Sequence, residues 1–304
     1  MIIKQRFQPI ELKIWNYLNG RAKLSPAQIK NFSACDKGFE GEKEFDKWGE
    51  NLSCKCLILN DLLLEYDQNI FQIDTLLITH ETIYLINVKN YEGDFYYESG
   101  KWYTLARSEI KDPLLQLKRS EYLFKKLIRS IDSTNFIIEP LLVFINPYYH
   151  LYHAPMNLPI IYPAQLERFK TKLNMQTTKL NDKHLKMAKQ LQSLHKTNSF
   201  YTQIPDYDYD QLKKGVVCLA CSSFKLDLNK DKLECLECGC VEAADLAVLR
   251  SVEEFKLLFP DKKITTHSIY EWCGVIKSKK TIRRILSKNF KLYGHGKSSH
   301  YDDK

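Results

Sequence analysis

The sequence of 304 residues predicts an α/β fold: a mixed β-sheet flanked by helices, followed by a helical segment, a small cysteine-paired ribbon and a basic helical module. Three observations carry that prediction. Two β-branched-rich runs, Phe71–Ile78 and Thr82–Lys89, are joined by the short polar turn His80-Glu81, the pattern of a hairpin. Amphipathic stretches lie on both sides of them in sequence, and a further apolar run, Ile137–Ile145, reads as a buried strand; helices and strands in this order suit a sheet with helical layers. Two Cys-x-x-Cys pairs then open a separate region.

Composition bounds the function classes. With 44% hydrophobic residues the chain can build two or more packed domains. No apolar run approaches the ~20 residues needed to cross a membrane. The start, Met-Ile-Ile-Lys-Gln-Arg-Phe-Gln-Pro, lacks a signal-peptide pattern, so a cytoplasmic location with no membrane partner is expected. Nine cysteines, five of them within Cys218–Cys240, favour metal binding over disulfides. The formal net charge is +8, and residues 261–304 hold 11 Lys or Arg against 4 Asp or Glu. A basic end of this kind favours an anionic partner, nucleic acid first, and no pattern names a protein partner.

Residues 8–32 give one or two short helices, with Leu12, Trp15 and Leu18 as an apolar stripe and Ser25-Pro26 opening the second; they are expected to pack onto the α/β core. In the next helix Phe39, Phe45, Trp48 and Leu52 recur near helical spacing. Glu42 lies three residues from both Phe39 and Phe45, on the core-facing stripe. A carboxylate there either reaches past the apolar face to solvent or joins a site.

With the hairpin loop centred on His80-Glu81, Asp74 and Asn87 face each other across the ladder, their Cβ atoms about 5 Å apart. The period of two puts Lys89 on the face of Asn87. A carboxylate among Ile, Leu and Phe is costly to bury alone and needs a cation or a metal. Spacing leaves two readings open: a structural Asp74–Lys89 ion pair, or an acid, an amide and an ammonium converging on a reaction site.

Gly41-Glu42, Gln72-Ile-Asp74, Asn87-Val-Lys89-Asn-Tyr91-Glu-Gly93 and Pro113-Leu-Leu-Gln116 occur in an order and spacing that resembles the nuclease-related domain, of the PD-(D/E)XK nuclease superfamily, over about residues 33–163. The resemblance implies a restriction-endonuclease-like fold. It makes Asp74 the metal-binding acid, position 87 a second acid, and Lys89 the residue that orients water or stabilises charge, with Glu42 and Gln116 as auxiliary site residues. The chain departs from the pattern at position 87, which is Asn. Phosphodiester hydrolysis by this route uses a hard cation, Mg²⁺ or Mn²⁺, on oxygen ligands. Asn87 offers one neutral oxygen, Glu42 can compensate for the missing charge, and the Val88 carbonyl is a further candidate ligand. Alternatively the fold persists as a noncatalytic nucleic-acid-binding scaffold.

Gly93–Tyr103 reads as a strand pair. Asp112-Pro113 caps a helix whose Leu114, Leu117, Tyr122, Phe124 and Leu127 form an apolar side. Residues 164–196 read as helical, and Ser199–Asp210 as a linker. The implied division is 1–32, a helical extension; 33–163, the nuclease-related domain; 164–210, helix and linker; 211–245, the ribbon; and 246–304, the basic module.

In the ribbon, 13 residues lie between Cys218-Leu-Ala-Cys221 and Cys235-Leu-Glu-Cys238. Paired Cys-x-x-Cys turns suit tetrahedral Zn²⁺, and four thiolates leave no open coordination position, so the zinc is expected to be structural. Cys240 competes with Cys238 as a ligand. Cys35, Cys54, Cys56 and Cys273 read as buried small hydrophobes.

Residues 249–301 read as three helices and a wing: Ser251–Phe259, Ile264–Cys273, a turn at Gly274, and a helix capped by Ser278 that runs to Asn289. Ile282, Ile285 and Leu286 point inward, while Lys279, Lys280, Arg283 and Lys288 can face phosphates, with Lys297 on the Gly-turned wing. This stretch is similar to winged-helix, helix-turn-helix DNA-binding modules. The expected partner is nucleic acid, DNA ahead of RNA.

Overall fold

The structure is a computed structural model and describes residues 1–131, 136–176, 179–196 and 204–304. Its elements begin with β1 (Ile2–Lys4), α1 (Ile10–Arg21), α2 (Pro26–Glu50), β2 (Leu57–Tyr66), β3 (Asn69–Ile78) and β4 (Thr82–Lys89). There follow β5 (Gly93–Glu98), β6 (Lys101–Thr104), β7 (Glu109–Ile110), α3 (Pro113–Ile131), β8 (Ile137–Phe144), β9 (Tyr149–Tyr152) and β10 (Ile160–Ile161). The rest are α4 (Leu166–Asn174), α5 (Asp182–Ser193), β11 (Leu226–Asn229), β12 (Lys232–Cys235), β13 (Val241–Ala243), α6 (Ala244–Leu258), α7 (Thr266–Cys273), α8 (Lys279–Asn289), β14 (Lys291–Tyr293) and β15 (His300–Asp302).

Two compact units result. The first comprises Met1–Gln8 and Ser33–Thr202, the second Pro9–Phe32 and Gln203–Lys304. The first is built on a six-stranded mixed sheet in the order β1-β2-β3-β4-β8-β10, with β1 parallel to β2 and β4 parallel to β8. Both faces are covered, which is why β3 and β4 carry unbroken apolar runs, Leu76–Ile78 and Ile83–Ile86. Leu76, Ile78, Ile83 and Leu85 pack on one side with Leu117, Phe124 and Leu191 of the helices α3 and α5. Leu77, Tyr84, Ile86 and Val88 pack on the other with Phe45, Trp48 and Phe169 of α2 and α4. A four-stranded sheet, β7-β6-β5-β9, completes this unit.

The β3–β4 hairpin has the expected register, running from Ile78 opposite Ile83 to Thr75 opposite Ile86. Thr79 closes the turn, its main-chain N–H and its hydroxyl both donating to the Thr82 carbonyl at 2.9 Å. Asp112 accepts the Leu114 N–H at 2.8 Å and so caps α3.

The second unit holds the three-stranded sheet β11-β12-β13, helices α6–α8 and the antiparallel pair β14–β15. Its core includes Val248, Phe255, Ile269, Trp272, Ile282, Ile285 and Leu286. Buried in it, the Arg21 guanidinium donates to both Glu254 oxygens at 2.7 and 2.6 Å.

The chain differs from the sequence reading in three places. Residues 8–32 form the expected helix α1, with Leu12, Trp15 and Leu18 buried, and Pro26 opens the second, but α1 belongs to the second unit, whose core holds Ile14 and Leu18, and α2 runs on as one 25-residue helix. An apolar stripe calls for a partner without specifying which. Helices α4 and α5 belong to the first unit, where Leu173 and Leu191 are fully buried. Helix α6 begins at Ala244, seven residues before the expected Ser251, because Ala247, Val248 and Ser251 are also core-facing. Part of the expected linker, 199–203, lies outside the described residues. Among the described residues no helix is long and apolar enough to cross a membrane.

Candidate functional site

Asp74 sits at a break in the central sheet. The β3–β4 ladder stops at Thr75–Ile86, and the β2–β3 ladder is interrupted between the Asn60–Thr75 and Leu62–Ile73 pairs, where Asp61 has a left-handed φ of 53°. The Asp74 carboxylate uses this gap: Oδ2 accepts the Val88 main-chain N–H at 2.8 Å and the Asn87 side-chain amide at 3.2 Å. Left-handed backbone at a non-glycine residue is strained and clusters at functional sites. Asp74 is 4% exposed and Asn87 fully buried. Among the described residues the Asn87 side-chain oxygen has no hydrogen-bond partner, an arrangement that costs free energy unless a ligand satisfies it.

Helix α2 brings Glu42 to the same region. A Cβ at Gly41 would meet Asn90 at 2.4 Å, so glycine is what lets the helix approach the end of β4 this closely. Asn90 completes the contact by donating to the Lys37 carbonyl at 2.7 Å. Burial, and then the Asp74 carboxylate, push the Glu42 carboxyl up to about 8, against the pull of Arg6.

Arg6 is the site residue that the sequence did not reveal. From the segment following β1 its guanidinium donates to Glu42 at 2.7 Å, to both Asp46 oxygens at 2.9 and 3.1 Å, to the Asp74 carbonyl at 2.7 Å and to Thr75 Oγ1 at 3.2 Å. Burial alone would lower its pKa, but Asp46 and Glu42 outweigh burial and hold it above the ordinary arginine value. Nothing in the spacing points to Arg6. Asp46 was readable, since Glu42 and Asp46 at i and i+4 share a helix face.

Lys89 does not pair with Asp74. Its ammonium donates to Gln116 Oε1 at 3.2 Å, which joins the end of β4 to the start of α3. Asp74, Asn87 and Glu42 thus gather around one break in the sheet, with Lys89 and Gln116 beside it. Their oxygen donors suit a hard divalent cation, and the unpartnered Asn87 oxygen fits the same use.

The four cysteines form the second site. The sulfur atoms of Cys218, Cys221, Cys235 and Cys238 all lie within 4.8 Å of one another. Cys218 and Cys238 are 3.6 Å apart, and Cys221 and Cys235 3.5 Å apart. Thiolates about 2.3 Å from a tetrahedral zinc would be separated by roughly 3.7 Å, so the set fits that ion. Gly239 makes the second turn, with φ 71° and its N–H on the Cys235 carbonyl. Cys240 is outside this group. Cys56 and Cys273 are buried as expected, whereas Cys35 and Cys54 are half-exposed.

On α8, Ile282, Ile285 and Leu286 are fully buried while Lys279, Lys280, Arg283 and Lys288 are exposed. Ser278 caps the helix by accepting the Thr281 N–H. The Lys297 side chain lies outside the described residues.

The family described as nuclease-related domain matches residues 37–145, the stretch that contains Glu42, Asp74, Asn87, Lys89 and Gln116. No curated protein and no solved structure matches the chain.

Proposed function

We infer, from the nuclease-related domain that this chain carries and from the arrangement at Asp74, that it hydrolyses phosphodiester bonds of nucleic acid with a divalent cation, Mg²⁺ or Mn²⁺. The observation that carries this reading is the buried oxygen set at the sheet break: the Asp74 carboxylate and, bonded to it, Asn87 with an unpartnered side-chain oxygen. Asp74, Glu42 and Asn87 would hold the cation, with the Val88 carbonyl as a further donor. Such a cation ionises a bound water and offsets charge on the phosphate.

The chain's own groups do the rest. Lys89 supplies a positive charge for the attacking water or the developing negative charge, and Gln116 fixes its reach. Glu42 makes up for the acid absent at position 87. The Cys218–Cys238 ribbon would hold structural zinc, and the thiols suit a reducing, cytoplasmic setting. The exposed Lys279, Lys280, Arg283 and Lys288 of α8 support nucleic-acid contact, DNA ahead of RNA, by a three-helix unit with a wing.

A second reading is a noncatalytic nucleic-acid-binding scaffold. It is favoured by Asn87 and by Arg6, which already gives Glu42 and Asp46 a cation. Labelled single- and double-stranded DNA and RNA, incubated with Mg²⁺ or Mn²⁺, separate the two. Cleavage lost in Lys89→Ala is expected; cleavage retained at the wild-type rate would remove Lys89 from the mechanism.

A further inference from the structure

Lys279, Lys280 and Arg283 form one wall of a cavity of about 850 Å³ in the second unit. The start of α7, with His267, and the β14–β15 hairpin, with His295 and Tyr301, form the others. Among the described residues no Asp or Glu lines it.

The charge in this cavity is unbalanced. Arg284, also on α8, is taken up by Asp245 at 2.7 Å. Lys280 and Arg283 have no hydrogen bond or ion pair among the described residues, and Lys279 lies 5.2 Å from the centre of the Tyr270 ring. Lys279 and Lys280 also occupy the first turn of α8, which has no acid. The helix dipole is positive there and opposes both ammonium groups. A helix that breaks a local rule without internal compensation marks a functional surface, and here the missing compensation is an anion.

We propose that this cavity binds the phosphates of a single nucleic-acid strand. The proposal rests on nucleic acid being the partner of the chain. The cavity is the size of a small-molecule site, room for a few nucleotides. Its cations can meet successive phosphates, while the imidazoles of His267 and His295 offer flat faces to bases. A duplex would need α8 as a free ridge in a major groove about 12 Å wide, but Lys279, Lys280 and Arg283 share their space with the hairpin. The hairpin turns through Gly294 and Gly296, at φ 73° and 59°; a Cβ at Gly294 would meet the Ser298 carbonyl at 2.9 Å.

The test is fluorescence anisotropy on the full chain, zinc retained and no Mg²⁺ or Mn²⁺ added, with a labelled single-stranded oligonucleotide, its duplex, a mononucleotide and inorganic phosphate. Lys280→Ala combined with Arg283→Ala should weaken strand binding at least tenfold. It should also lower the log–log salt slope by about 1.4, at about 0.7 per phosphate contact on a single strand. Arg284→Ala should leave both unchanged, circular dichroism should show each variant folded, and the duplex should bind more weakly and respond less to the double variant. Unchanged strand binding in the double variant would overturn the proposal. So would a duplex affected as much as the strand, which would make α8 a groove reader, or a mononucleotide or phosphate binding as tightly as the strand, which would make this a free-nucleotide site. Cleavage with unaltered binding would overturn this proposal alone, and lost binding in a protein that never cleaves would overturn the hydrolysis reading alone.

Discussion

The Arg6 guanidinium donates to the Glu42 carboxylate at 2.7 Å, across 36 positions of sequence. Its other N–H groups reach Asp46, the Asp74 carbonyl and Thr75, so one side chain from the segment after β1 ties α2 to β3. The Arg6 side chain is only 3% exposed. Arg6→Gln leaves the Asp46 carboxylate without its cation and Glu42 without its donor in a largely dry site, and is expected to destabilise the protein by about 3 kcal/mol, the lower end for a broken buried pair. Urea denaturation reads this directly, and an unchanged midpoint would show that the clamp contributes nothing.

Glu42 makes stability depend on pH. Its folded-state pKa is about 8, above the ordinary 4.5. Between those values the folded protein keeps a proton that the unfolded chain has released, so stability is greatest below about 4.5 and declines as pH rises through 8. Glu42→Gln should flatten this decline. Cation binding competes with the same proton, so Mg²⁺ affinity measured by calorimetry should rise with pH up to about 8. A pH-independent affinity would mean that Glu42 is not a ligand.

Asn87→Asp restores a second acid at constant size. Its charge lies beside Asp74, so the cation-free variant should be less stable than the wild type. With Mg²⁺ present, affinity should rise about tenfold or more, and cleavage with it. A variant that binds Mg²⁺ no better than the wild type would place the cation away from position 87.

Much of this site was legible because it is local. The hairpin register followed from a period of two and a short turn, which set Asp74 against Asn87, and the Cys-x-x-Cys spacing singled out the four sulfur atoms now within 4.8 Å of one another. The Ser278 and Asp112 caps were readable for the same reason. Arg6 was not, because its partners lie 36 to 69 residues away and a lone arginine has no period. Nor was the continuity of α2 through Gly38 and Gly41, since glycine argues against a helix interior until tertiary contact, here Asn90 against Gly41, outweighs it. The short strand β9 gave four residues of signal, too few to separate from a loop.

If the cysteine site holds zinc, the purified protein should carry about one equivalent. A chelator should then release it and expose β11–β13, residues 226–243, to proteolysis and hydrogen exchange. Protein that is folded and protected there without metal would show that the strands do not need it.

The measurement that bears most directly on the central claim is single-turnover cleavage with Mg²⁺ by the wild type, Asp74→Asn and Lys89→Ala, each checked for folding. Phosphodiester hydrolysis at this site predicts cleavage by the wild type and a loss of about a hundredfold or more in both variants. Equal rates in all three, or no cleavage of any single- or double-stranded DNA or RNA by the wild type, would contradict it and leave the domain as a binding scaffold.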